Sequence, residues 1–355
     1  MHDEPKSFRR RTARAFRGEI MTTQVPFRVP EVIRAEDANR PVVVLESTVI
    51  AQGLPWPDNL ATALAMEAAV REQGVLPRTI AILDGEIRIG LSGSEIERLA
   101  QAAQTTPRGE IHNRRACMPA LSSHFTKANR RDIAIVVAQG RSAGTTVSAT
   151  LWLAERSGLR PCVLATGGLG GVHRGAGTTF DISTDLDQLA RADGSIVVCS
   201  GFKSILDLPA SLEALETRGV ALVGYRTSEL PAFTTVSSGL ALEHHVDSPE
   251  EVAAVADIHR RLGLPGALVV VSPVPADEAV DRDVMDSVLQ IALADVERQH
   301  VSGKAITPFL LDAVRQATGG ASLRANCALL VANARLAAQI ARALHEETGR
   351  EATAP

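Results

Sequence analysis

The sequence predicts a three-layer α/β/α fold, a single large domain around a largely parallel central sheet. Three observations carry that expectation. Short apolar runs such as "PVVVLE", "CVLAT", "SIVVCS", "VALVGY" and "ALVVVS" lack the alternation of a half-exposed sheet, so both of their faces must be covered. Segments with helical spacing stand between them, the order expected of a sheet sandwiched by helices. No long Pro/Ser linker and no internal repeat divides the chain, and 355 residues with 45% hydrophobic content can bury a large core.

Taken in order, strand Pro41–Glu46 precedes a helix with Asp58 as its N-cap and Leu60, Leu64 and Ala68 at helical spacing. In "TIAILDGEIRIG", Asp84-Gly85 stands between two strand-like runs, the pattern of a type I′ hairpin. "SGSEIERLA" reads as helix, "DIAIVVA" as strand, and "GTTVSATLWLAERSG" as helix capped by Thr145 or Thr146. Four more strands follow, and after Pro275 three helical stretches close the chain. The first 24 residues are a different material, an Arg-rich tail expected to be disordered, with the domain expected over 25–350. The tail lacks the apolar h-region of a secretory signal, Asp3 and Glu4 count against an organellar presequence, and Met21 is an alternative start.

Composition excludes several classes of function. A net charge of −4 disfavours a nucleic-acid polymer as partner, and 3% aromatic content disfavours a base-stacking surface. No apolar run approaches the ~20 residues of a membrane span, so no membrane partner is expected. Cys117, Cys162, Cys199 and Cys327 are scattered without metal spacing; Cys162 and Cys199 lie in strand-like runs, which suits buried thiols in a reducing cytoplasm. Lysine usage is the informative count. Only Lys6, Lys127, Lys203 and Lys304 are lysine, leaving 33 of the 37 basic residues (37 − 4) as arginine. Arginine cannot be deprotonated in a protein and cannot form a Schiff base, so each lysine is a candidate for chemistry that arginine cannot perform.

In open α/β sheets ligands bind beyond the carboxyl ends of the strands. Those ends carry Glu46-Ser47-Thr48, the loop "TGGLGGVHRG" with His173 and Arg174, Gly201-Phe202-Lys203, and Gly144-Thr145-Thr146 before a helix. "FDISTD" adds Asp181 and Asp185, with Ser183 between them. Five glycines in ten residues mean either turns with positive φ or close approach to the backbone; the cationic ending favours an anion such as phosphate. Each residue also has an ordinary reading: Glu46 paired with an arginine, Lys203 at the surface, Asp181 and Ser183 as caps, His173 as a hydrogen-bonded structural histidine. Together they suit chemistry on a sugar phosphate.

The stretches "LESTVIAQGLPWPDN", "ATGGLGGVHRGAGTTFDIS", "SGFKSILDLP", "GYRTSELPAF" and "TPFLLDAVRQATGG" resemble, in order, the pseudouridine-5′-phosphate glycosidase family, also called indigoidine synthase A-like. The resemblance runs from about Pro41 to about Glu347. It implies reversible cleavage of the C–C glycosidic bond of pseudouridine 5′-phosphate to uracil and ribose 5-phosphate, through a lysine Schiff base. By that resemblance Lys203 is the imine-forming lysine, Glu46 the general acid/base and Lys127 a substrate-contacting lysine. Asp181 would hold a divalent ion, usually manganese (Mn2+). Ser183, Thr184 and Asp185 would bind substrate, Val147 through its backbone, and a homotrimer is implied. Phosphate contact by His173 and Arg174 is an inference from the residues themselves.

Two departures stand out. A stretch at about 104–124 is some twenty residues longer than the family's usual connection, and is expected to be a flexible insert. Its His112, Cys117 and His124 lack metal spacing, and it directly precedes Lys127. Ala143-Gly144 also reverses the family's usual Gly-Ala order. The competing functions are another Schiff-base sugar-phosphate lyase or aldolase, and a non-catalytic sugar-phosphate-binding protein.

Overall fold

The computed structural model describes residues 27–28, 40–105, 125–159, 162–299, 301 and 306–353. The expected tail and all but the first two residues of the expected insert lie outside them. Thirteen strands are described: β1 (Phe27–Arg28), β2 (Val42–Leu45), β3 (Leu76–Leu83), β4 (Glu86–Ile89), β5 (Thr126–Ala128), β6 (Ala143–Thr145), β7 (Val163–Ala165), β8 (Val172–His173), β9 (Ile196–Cys199), β10 (Leu206–Asp207), β11 (Ala221–Tyr225), β12 (His245–Val246) and β13 (Leu268–Val271). Eleven form one sheet along the path β1-β4-β3-β2-β7-β9-β13-β11-β12, with β6 joined to β3 and β5. β8 and β10 make a separate antiparallel pair.

The centre of the sheet is parallel, as expected, and antiparallel pairing is confined to β3–β4 and β3–β6. β7, β9 and β13 are buried throughout, which explains their unbroken apolar sequence. Register decides where chemistry can occur. Leu45 pairs with Ala165, and Ala165 with Val198, so Glu46, Thr166 and Cys199 leave the sheet at one level. The Asp84-Gly85 hairpin forms as predicted, both residues having positive φ.

Three local expectations are corrected. "DIAIVVA" is helical, a 3-10 turn Arg130–Asp132 running into the helix Ile133–Ala138. Asn129 and Asp132 form a capping box there, and Ile133 and Val136 are buried while Ile135 is 54% exposed, a helical period. In the helix Asp58–Arg71, Pro57 occupies the N-cap and Asp58 the first turn. The face carrying Leu64 and Ala68 is exposed; the buried face carries Asn59, Ala63, Met66, Glu67 and Val70. Asn59 Nδ2 donates to the Ile50 and Ala100 carbonyls, and Glu67 Oε1 accepts from Thr79, so polar residues with dedicated partners took the place of apolar ones. Finally, the segment before Val147 is the short strand β6; of the two expected caps Thr146 does occupy the N-cap of the helix Val147–Arg156, but its hydroxyl bonds Ser148 Oγ and no backbone amide.

The last helix, Ala321–Thr353, packs across β2, β7 and β9. Its Ala321–Glu347 part is long and apolar enough by composition to cross a membrane. Leu329, Leu330, Ala334, Ala337 and Ala338 are buried here against the protein's own core.

Candidate active site

Glu46 directly follows β2 and is buried, 9% exposed. Its Oε2 accepts from the amides of Thr48 at 2.7 Å and Val49 at 3.3 Å. Burial pushes its carboxyl above the ordinary carboxylate range; the Lys203 charge opposes this and the Asp185 charge adds to it. Behind it, hydroxyls lock the strand ends. Ser47 Oγ donates to the Ile80 carbonyl at 2.6 Å and accepts from the Thr145 amide at 2.9 Å, and Thr145 Oγ1 also donates to that carbonyl.

Lys203 leaves the sheet after β9, and its loop is zipped to the glycine loop. The Leu169 amide donates to the Gly201 carbonyl at 2.9 Å and the Lys203 amide to the Leu169 carbonyl at 3.2 Å. None of Gly167, Gly168, Gly170 and Gly171 has positive φ. What excludes a side chain is space. A Cβ on Gly168 would lie 2.7 Å from the Phe233 ring and 3.3 Å from Lys203 Cγ. One on Gly170 would meet Ser183 Oγ at 2.3 Å, and one on Gly171 would meet Ser211 Oγ at 2.3 Å. The amides of Leu169, Gly170, Val172 and His173 already donate within the protein, to Gly201, Asp185, Ser211 and Asp181. The run of glycines is therefore a close-packing device, and these four amides are not an open anion cradle.

His173 stands in β8, half-buried, and its imidazole is held below the ordinary histidine value by burial, with Asp181 opposing and Lys203 and Lys127 reinforcing. Lys127, in β5, thus lies within electrostatic reach of His173 despite the insert before it. Arg174 is exposed one residue further along. Asp181 is half-buried and its carbonyl accepts from the His173 amide. Among the described residues no group of three or more His, Cys, Asp or Glu gathers to hold a metal ion. Ser183 caps the helix Thr184–Leu189, Thr184 Oγ1 bonds Ser148 Oγ at 3.1 Å, and buried Asp185 reaches the Ser148 and Gly170 amides. Val147, also buried, begins the helix beside them.

The sequence reading missed Asn333. From the last helix its Nδ2 donates to the Thr166 carbonyl at 2.8 Å and Ser200 Oγ at 3.1 Å, tying together the ends of β7 and β9. The legible signal was an asparagine inside the otherwise apolar stripe of Leu329, Leu330 and Ala337. Phe233, the wall over Gly168, lay unremarked inside "GYRTSELPAF".

A parallel sheet that sets a buried carboxyl and a half-buried amine on aligned strand ends is the architecture of an α/β enzyme. The family model described as "Indigoidine synthase A like protein" matches residues 31–343, and the chain belongs to that family. The chain is 46% identical over 312 residues to the pseudouridine-5′-phosphate glycosidase of Hahella chejuensis, covering 88% of this chain and 96% of that one. It is 44% identical to the protein of the same name from Geobacillus kaustophilus, covering 88% and 97%. Among solved structures it is similar to the prealnumycin C-glycosynthase AlnA in complex with ribulose 5-phosphate, with a TM-score of 0.78, 34% identity and coverage of 92% and 99%. An indigoidine synthase A-like protein from Thermotoga maritima gives a TM-score of 0.75 at 35% identity, covering 86% and 94%.

Proposed function

We propose that the chain is a pseudouridine-5′-phosphate glycosidase, reversibly converting pseudouridine 5′-phosphate to uracil and ribose 5-phosphate. The observation that carries this reading is that Glu46 and Lys203, each leaving the carboxyl side of the same parallel sheet, lie within electrostatic reach of one another. A C–C bond has no heteroatom to leave on, so protonation by carboxyls alone is insufficient; an amine supplies the missing electron sink. The Lys203 amine attacks C1′, the ring oxygen leaves and takes a proton from Glu46. C5 takes up the proton that the attacking amine gives up, and the lone pair on nitrogen then forms the imine as the C1′–C5 bond breaks and its electrons restore the uracil double bond. Water hydrolyses the imine, releasing ribose 5-phosphate and the free amine. A carboxyl held above its usual range suits the proton-donating step.

His173, Lys127 and, at the rim, exposed Arg174 are the phosphate contacts of this reading; the Lys127 and Lys203 charges both act at His173. The C-glycosynthase relative is named with a bound pentose phosphate, which supports a sugar phosphate as the ligand class. The Val147 amide and the Ser183-Thr184-Asp185 segment form the neighbouring wall. A divalent ion, Mn2+ or Mg2+, fits Asp181 only as a largely hydrated ion taking its other oxygens from water and substrate, a mode common for small hard cations. It would supply charge near the sugar oxygens. Chelation and dialysis are expected to lower turnover and manganese to restore it; full activity in metal-free protein removes the ion. A cytoplasmic homotrimer acting in pseudouridine breakdown completes the reading, and sedimentation tests the assembly.

The decisive experiment adds borohydride to the protein with ribose 5-phosphate. The sugar is expected on Lys203 by peptide mapping, and uracil with ribose 5-phosphate is expected to give pseudouridine 5′-phosphate. Trapping on Lys127 would exchange the two lysines' roles, and no adduct on an active enzyme would refute the imine.

A further inference from the structure

The site is assembled from two separately braced halves. On one side, Glu46 is continuous with Ser47, whose amide donates to the Thr145 carbonyl and whose hydroxyl accepts from the Thr145 amide. That half leads directly into the helix Val147–Arg156. On the other side, Lys203 is zipped to Leu169, one residue before Gly170. Asp185 stands between them, 6% exposed. Its Oδ1 accepts from the Ser148 amide at 3.0 Å, and its Oδ2 from the Gly170 amide at 3.1 Å.

We propose that Asp185 is a positioning residue, a carboxylate staple that fixes the Glu46 half of the site to the Lys203 half. The inference rests on the glycosidase reading for its kinetic consequences, but its geometry stands apart from that reading. A carboxylate accepting two backbone amides makes two charge-assisted bonds, stronger than neutral ones. One of them falls at the start of a ten-residue helix whose N-cap residue, Thr146, turns its hydroxyl to Ser148 Oγ and caps no backbone amide, so Asp185 supplies from outside the acceptor and the negative charge that a helix start favours. The neighbours serve the same end. Ser183 Oγ accepts from the Asp185 amide, and Thr184 Oγ1 bonds Ser148 Oγ, so the whole segment joins the two halves. The absence of a Cβ on Gly170 is required for this approach, because one there would lie 2.9 Å from Asp185 Oδ2.

A substrate contact and a staple make different kinetic predictions. Asp185→Asn retains one acceptor oxygen but turns an NH2 group toward the second amide, so one of the two bonds is lost. A misplacement on the scale of an ångström costs on the order of 10²-fold in rate, so kcat is expected to fall about 10- to 100-fold with KM unchanged. Borohydride trapping of ribose 5-phosphate on Lys203 is expected to persist, because the lysine's own loop contacts are intact. The charged groups that act on Glu46 are Lys203 and Asp185, with opposite signs. Removing the Asp185 charge is therefore expected to move the Glu46 limb of the pH–rate profile to lower pH, a readout that a purely structural defect would not move.

A rise in KM, matched by a rise in the ribose 5-phosphate concentration needed for trapping and with the limb in place, would make Asp185 a substrate ligand and overturn the staple. If the variant does not fold, amide exchange in the unaltered protein decides. Slow exchange at both Ser148 and Gly170 supports the staple, and fast exchange at either overturns it. Absence of trapping and uracil chemistry in the unaltered protein would instead fail the glycosidase reading, and leave the exchange result to judge the staple.

Discussion

On the carboxylate side of the site the chain is held by hydroxyls, and on the lysine side by bare backbone packed beneath side chains. Around Glu46, Ser47 and Thr145 converge on the Ile80 carbonyl, and Thr150 Oγ1 donates to Thr145 Oγ1 at 2.9 Å. A single glycine, Gly144, admits the chain, its absent Cβ leaving room for the Ser47 carbonyl that would otherwise lie 2.9 Å away. Around Lys203 four glycines accept Leu329, Phe233, Ser183 and Ser211 against their α-carbons. The difference follows from what each group must do. A buried carboxyl that exchanges protons needs a rigid polar frame. An amine that must reach a sugar carbon needs a long apolar stem, fixed at its base and free at its tip.

The comparison breaks most visibly at Lys203. Lys203→Arg keeps the charge and removes the nucleophile, so turnover and borohydride trapping are both expected to vanish while the fold is retained, as circular dichroism would show. Retained trapping would move the nucleophile to another lysine. The next effect is smaller and separates the halves. Glu46→Gln keeps the shape and loses the proton, and is expected to cost on the order of 10²–10⁴ in turnover. Trapping on Lys203 from the open-chain aldehyde, which needs no proton delivered to a ring oxygen, should survive. Equal loss of both activities would mean that the halves do not act separately.

These two residues were legible because each follows an apolar run that reads as a strand, and strand ends are where parallel sheets do chemistry. The Asp84-Gly85 turn was legible because its cause is local, two positive-φ residues side by side. The glycine loop was half legible. Its composition announced a backbone constraint, but the constraint comes from Phe233, Leu329 and Ser211, which are far away in sequence. Asp185 meeting Ser148, and Asn333 meeting Thr166, are contacts across 37 and 167 residues that no local pattern encodes. "DIAIVVA" went wrong for the opposite reason. A short apolar run fits strand and helix equally, and the local signal that decides, the Asn129–Asp132 capping box, begins three residues before it and ends on its first residue.

The smallest expected effect concerns stability, and it has the opposite sign to the loss of activity. Burial raises the Glu46 carboxyl above its unfolded value, so between those two values the native state binds more protons than the unfolded one. Stability from this group is then fully present below the unfolded value and is lost as pH rises through the folded one. Above that window the wild-type protein carries a charge that its burial resists, and the Lys203 ammonium and the Val49 and Thr48 amides offset part of the cost. Glu46→Gln cannot ionise and still offers an oxygen to the Thr48 and Val49 amides. It should therefore melt slightly above wild type near neutral pH, by a few degrees or less, with the gap closing as pH falls below the ordinary carboxylate value. Replacing Lys203 with methionine in both backgrounds should widen the gap, since the compensating ammonium is gone. Thermal melts across pH for the four proteins measure this directly. A gap that is absent, or that grows toward low pH, would mean that Glu46 rests in the folded protein as a well-satisfied carboxylate, and the two halves would then differ in packing alone.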